Sequence, residues 1–125
     1  MAEEHTPGHL LDAVEAILLR AAIEGEVMTY QALAQRLNLQ PPHTIHQTTE
    51  LLEALMRRHA ASGSPQLASL VISRARNGLP APGYFLLMNE LGLYDGPPQG
   101  EAARACHETE KQKCFALGRM ARSVH

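Results

Sequence analysis

From His9 to about Gly25 the apolar residues Leu11, Val14, Ile17, Leu18, Ala21 and Ala22 recur at three- and four-residue spacing, which marks one face of a helix. Asp12 and Glu15 stand in its first turns, where the helix dipole favours acids, and Gly25 suits a stop. A second, shorter stripe follows in Tyr30, Leu33, Ala34 and Leu37, with Thr29 placed to cap it through its hydroxyl. "NLQPP" ends that helix, since Asn38 suits a turn and two prolines cannot continue it. The third pattern runs from Thr44 to Ala61: Ile45, Thr48, Leu52, Leu55, Met56 and His59 share one face, and His46, Gln47, Glu50, Glu53 and Arg57 share the other.

Beyond "ASGSP" the period changes. "LASLVIS" is β-prone around Leu70, Val71 and Ile72, and "RARNGLPAPG" is rich in turn formers, with Asn77-Gly78 as the tightest turn signal in the chain. "YFLLMNELG" reads either as a returning strand that turns into a helix or as a helix throughout. We expect the helix, from about Tyr84 to Leu91, with Gly92 as its stop. "DGPPQG" is a second joint. The tail from Glu101 to about Arg122 is helical by propensity, with Ala102, Ala105, Cys106, Phe115, Leu117 and Met120 as its expected apolar positions.

Three helices, a strand, a flexible turn and two more helices give a mainly α fold with a small β-hairpin. This is the connectivity of a winged helix-turn-helix with an extra C-terminal helix. The expected organisation is a flexible N-terminus over residues 1–8, a winged-helix-like domain over 9–94, and a joint and C-terminal helix over 95–125. In that arrangement "MTYQALAQRL" is the scaffold helix, and the helix beginning at Thr44 faces the groove.

Composition adds bounds. With 125 residues, 45% of them hydrophobic, one ordinary core forms without metals or crosslinks. A net charge of −2 argues against indiscriminate polyanion binding. The bases are concentrated after residue 43, in Arg57, Arg58, Arg74 and Arg76 and again in the tail, so an anionic partner meets the middle or the end of the chain. Cys106 and Cys114 lie two turns apart on one predicted helix, roughly 12 Å along its axis, too far to bridge. They read as reduced thiols, which points to the cytoplasm. No apolar run is long enough for a membrane span, and "MAEEHTPGH" does not read as a signal peptide.

The segments "GEVMTYQALAQRL", "LVISRARNGLPAPGY" and "LLMNELG" together resemble the winged-helix domain of alkylguanine-DNA alkyltransferases and of their catalytically dead alkyltransferase-like relatives. The resemblance covers roughly residues 11–92. It implies DNA binding, and it aligns Tyr30 with the family tyrosine that opens the second helix and contacts a rotated phosphate. The acceptor cysteine of that family falls near Leu70 and is missing here, as is the histidine after it. Cys106 and Cys114 lie beyond the wing, so alkyl transfer is not implied. The family's intercalating arginine has no counterpart, and His46 or Gln47 falls nearest. There is also a looser likeness to small bacterial proteins in which this unit ends in a charged helix like "ACHETEKQKCFA", and it carries no activity.

The candidate DNA contacts are therefore Tyr30, then Thr44, His46 and Gln47 at the tip of the groove helix, Arg57 further along it, and Arg74, Arg76 and Asn77 on the wing. Four arginine–phosphate contacts correspond to a modest salt slope of about −3.6. Each set also reads as an ordinary solvated face, and Glu50 and Glu53 would repel phosphates. His43, His46 and Glu50 have helical spacing but lack a third strong ligand, and Cys106-His107 is adjacent and splayed, so we expect no metal. No nucleophile elbow, phosphate loop or carboxylate pair accompanies Ser73, Cys106, His107 or Cys114. We expect a non-catalytic protein without cofactors that binds duplex or structured DNA. The alternative is a protein-interaction module on the same fold. The tail helix is expected to pack on the core or, as the sharper option, to pair two copies into a homodimer.

Overall fold

The computed structural model describes residues 7–123, and it is mainly helical. Most of the expected flexible stretch 1–8 lies outside the described residues, and Pro7 and Gly8 already belong to helix α1 (Pro7–Glu24). Val14, Leu18, Ala21 and Ala22 are its buried face. Gly25, at φ 71°, closes the helix, and Glu26 N–H returns to Ala21 O. Strand β1 (Met28–Thr29) leads directly into α2 (Tyr30–Arg36), where Thr29 Oγ1 accepts Ala32 N–H at 3.0 Å as its residue type predicts. Helix α3 (Thr44–Ser62) buries Thr48, Leu52, Leu55, Met56 and His59.

The β region departs from expectation. Leu67–Leu70 is a buried 3-10 turn, and only Val71–Ile72 forms strand β2. This strand does not make a β-hairpin. It pairs in parallel with β1, Met28 beside Val71 and Thr29 beside Ile72. The return of the chain is reduced to a single antiparallel bridge between Ser73 and Leu79, closed around a 3-10 turn at Arg74–Arg76. Asn77 (φ 56°) and Gly78 (φ 83°) take the left-handed positions that Asn-Gly favours. The prolines at 80 and 82 remove ladder donors, so no second strand can extend past Leu79.

Pro82 opens helix α4 (Pro82–Glu90), which buries Tyr84, Phe85, Leu87 and Met88. Phe85 is fully buried, with Tyr84 and Tyr94 edge-on at 4.9 and 5.7 Å between ring centres. The joint after α4 is held by Asn89. Its amide donates to Phe85 O and Gly96 O, and its carbonyl oxygen accepts Gly96 N–H.

Helix α5 (Glu101–Ser123) packs on α1 and on the 3-10 turn at 67–70. Cys106, Phe115 and Leu117 pack half-buried on the core as expected, and the rest of the seam corrects the sequence reading. The buried positions are Ala103, His107, Cys114 and Gly118, while Ala102 and Ala105 are exposed and Met120 keeps 66% of its surface. The seam selects small residues because the two backbones approach closely: a Cβ on Gly118 would sit 2.2 Å from Ala22 O. His107 Nε2 bonds to Ser69 O at 2.8 Å, and burial lowers the basicity of its imidazole. The Cys114 thiol donates to Gln66 O, and burial pushes it up to about 12. Both side chains thus fasten α5 to the 66–69 segment.

Asp12 and Glu15 also correct the sequence reading. Because α1 starts at Pro7, they lie beyond the first turn and face α3. Glu15 Oε1 accepts from Arg58 Nη1 at 2.9 Å, Glu15 Oε2 pairs with His59 Nε2 at 2.7 Å, and Asp12 Oδ1 takes a second bond from Arg58 at 2.9 Å. The His59 bond, helped by Arg58, holds the Glu15 carboxyl below its usual range against the opposing effect of burial.

Two outcomes follow from this packing. Gly118→Ala should destabilise the fold by about 1–3 kcal/mol in urea melts, because backbone must move to admit the methyl group, whereas Met120→Ala should stay within about 0.5 kcal/mol. Glu15 has a depressed folded-state pKa, so its contribution is present above the ordinary carboxylate pKa of about 4.3 and is lost as pH falls through the lower folded value. Glu15→Gln should therefore cost about 1–2 kcal/mol at pH 6, a figure reduced for its partial exposure, and the gap to the parent should narrow in melts taken toward pH 3.

Candidate functional site

One edge of the molecule brings together the start of α2, the first half of α3, and the segment from β2 into the following turn. Between them runs a groove of about 550 Å³. Tyr30, Gln31 and Gln35 form the α2 wall, Ile45 and Thr49 the α3 wall, and Ile72, Ser73 and Arg74 the third side. A much smaller cavity of about 40 Å³ adjoins it, sharing Tyr30, Thr49 and Ala81 and reaching in to Leu52, Met56 and Tyr84, with Glu53 also in its lining.

The sequence expectations for this edge divide. Tyr30 and Arg74 both line the groove. Tyr30 is also a strut, since its phenolic oxygen accepts Ala81 N–H at 2.8 Å. Burial raises its pKa, so the phenol keeps its proton at physiological pH. Arg74 is exposed and makes no side-chain bond among the described residues.

The other three arginines of the expected phosphate set, Arg57, Arg58 and Arg76, are occupied. Arg76 folds inward: its guanidinium donates to Pro80 O at 2.9 Å and to Pro98 O, tying the turn to the entry of α4 and to the joint before α5. The expected mobile cationic wing is therefore a fastened turn. Arg57 faces α4 and pairs with Glu90 at 3.0 Å, and Arg58 is held by Asp12 and Glu15. Gln47, expected to read bases, instead reaches back with its amide to Gln40 O and Pro42 O, both at 2.9 Å. These bonds tie the preceding loop to α3 but do not cap the helix, whose first N–H groups need acceptors, and His43, at φ 64°, makes no capping bond either.

Thr44 is half-buried beside a shallow hollow lined by Asn38 and Leu39. His46 is exposed and lies 3.4 Å from Glu50 one turn on. Asn77 is exposed at the turn apex, where its carbonyl takes a long bond from Arg104 at 3.5 Å. Among the described residues no group of three His, Cys, Asp or Glu side chains is arranged to hold a metal ion, His43, His46 and Glu50 included. No described helix is long and apolar enough to cross a membrane.

The groove contains residues that the sequence reading missed. Ile45 belongs to the apolar stripe of α3 by spacing, yet it is 45% exposed, because at the first turn of the helix nothing packs over it. Gln31 and Gln35 are one turn apart on α2, a polar pair with no periodic signal to distinguish it from a solvated face. Ser73 is a bridge residue whose backbone meets Leu79, leaving its hydroxyl unbonded among the described residues. Thr49 donates to Ile45 O at 3.0 Å and borders both cavities.

Compared with protein-family models, with curated proteins and with solved structures, the chain matches none.

Proposed function

We propose that this chain is a non-catalytic interaction module that engages a protein partner through the α2–α3–turn edge. We read its scaffold as a reduced winged helix-turn-helix: α2 and α3 stand in the order of the motif, and the fastened 74–77 turn takes the place of the wing. The observation that carries the protein-partner reading is the fate of the cations. Of the four arginines that would have met phosphates, Arg57, Arg58 and Arg76 are bound within the chain, and Arg74 alone is left on the groove. Glu50 and Glu53, on the same helix as the groove-lining Ile45 and Thr49, break any continuous positive strip.

DNA binding is the second reading, and one observation favours it. Arg74 and Tyr30 share a groove with the first turns of α3, the part of a recognition helix that meets base edges. A dimer through α5 would have to use its outer face, where Met120 is exposed, because the seam of that helix is already buried against α1.

Anisotropy titrations on a random duplex across about 50–200 mM salt separate the two readings. With Arg74 as the one available phosphate contact, the expected slope is about −0.9, against about −3.6 for four contacts. Capture of a protein partner should survive nuclease treatment and be lost in an Ile45→Glu, Arg74→Glu variant whose melting is unchanged. A slope near −3.6 that falls by about one in Arg74→Ala would transfer the function to DNA.

A further inference from the structure

We infer that the groove receives a segment of the partner protein that carries one carboxylate beside a branched or aromatic side chain, with the carboxylate on Arg74 and the apolar group between Ile45 and Ile72. This rests on the interaction-module reading.

At Arg74, Tyr30 and Thr29 the wall offers donors, while the amides of Gln31 and Gln35 both donate and accept. Arg74 can only donate. The Tyr30 oxygen already accepts Ala81 N–H, and the Thr29 oxygen already accepts Ala32 N–H, so each hydroxyl keeps its own proton to give. The raised pKa of Tyr30 keeps that proton in place. The charge on the groove is single: Arg74 is the one ionised side chain in its lining. A carboxylate satisfies a guanidinium in two parallel bonds.

The neighbouring surface decides between one anion and many. Glu50 lies on the outer face of α3, and Glu53 lines the small cavity that opens beside Tyr30. A chain of phosphates that ran from Arg74 past Tyr30 would meet the Glu53 carboxylate, whereas a peptide with one acid need not reach it. The apolar pair decides what stands next to the anion. Ile45 on α3 and Ile72 on β2 both line the groove, and Ile45 is 45% exposed, so a ligand side chain placed there removes apolar surface from water on both walls. The volume of about 550 Å³ suits two or three residues of an extended segment.

The test is an amide-shift titration of the full chain with three blocked peptides: Ac-Gly-Leu-Asp-Gly-NH2, its Leu-Asn counterpart and its Gly-Asp counterpart. The Leu-Asp peptide should move the amides of Ile45, Thr49, Ser73 and Arg74 saturably at millimolar concentration, and the other two should bind about fivefold more weakly or worse. Arg74→Ala should abolish the preference for Asp over Asn, and Ile45→Ala, at an exposed position, should abolish the preference for Leu over Gly.

Equal binding of the three peptides, or no shift at about 10 mM, overturns the ligand class. So does a short duplex that moves the same amides more strongly and displaces the peptide. If the peptides fail while the Ile45→Glu, Arg74→Glu variant still loses a nuclease-resistant partner, the ligand class is wrong and the module stands. If both tests fail, both fall.

Discussion

The edge formed by α2, α3 and the β2 turn depends on how the short segment Pro80-Ala81-Pro82 satisfies its backbone. Two of its three residues have no N–H, so it cannot add a strand to β2 and cannot begin α4 earlier. Its one donor, Ala81 N–H, goes to the Tyr30 phenol on α2, and its Pro80 carbonyl goes to Arg76 on the turn. Arg76 then reaches on to Pro98 and brings in the joint before α5. One side chain from a distant helix, Tyr30, and one from the preceding turn, Arg76, thus replace a ladder that the prolines forbid. In doing so they set the distance between α2 and the β2 turn, which is the width of the groove.

The same constraint turns a cationic loop into a scaffold. An arginine whose guanidinium satisfies two carbonyls within the fold is costly to withdraw, because those carbonyls would lose their partner in a half-buried setting. Arg57 differs, since its pair with Glu90 is exposed on both sides and holds only weakly. It faces α4, however, and does not line the groove. Charge counted along the chain therefore overstates the charge available to a ligand on this edge. Arg74 and Arg76 stand two residues apart and have opposite fates.

Much of the helical framework was legible before the structure. The stripes of α1, α2 and α3 have the helical period, Thr29 and Gly25 mark real boundaries, and Asn77-Gly78 is a real left-handed pair. The β region was not legible, because β1 and β2 are two residues each and pair in parallel across more than forty residues of chain. Neither leaves an alternating pattern to read, and the parallel partner of a two-residue strand is fixed only by the packing of α1, α2 and α3 around it. The α5 seam was hidden for a different reason. Hydrophobicity points to Phe115, Leu117 and Met120, while the closest contact is made where a side chain is missing, at Gly118. Ile45 shows the converse case: correct spacing does not bury a residue when the helix extends past its neighbours.

The candidate site was half legible, and the division has a physical cause. Residue type tells which groups can donate, but hydrogen bonds inside the fold decide which remain free to do so. Gln47 has the ideal amide for reading a base, and it is occupied by two carbonyls of the loop before its own helix. Tyr30 loses its simplest acceptor role to Ala81 and gains definition as a donor, because its remaining proton is held by a phenol whose ionisation burial opposes. The chemistry this edge offers is thus set by subtraction. Internal bonds hold Arg76 and Gln47, Arg57 and Arg58 face other elements, and the groove lining keeps one guanidinium, a few hydroxyl protons, the amides of Gln31 and Gln35, and two isoleucines. That set is sparse in charge and rich in donors, and these are the two conditions on which the proposed ligand, one acid beside one apolar side chain, is built.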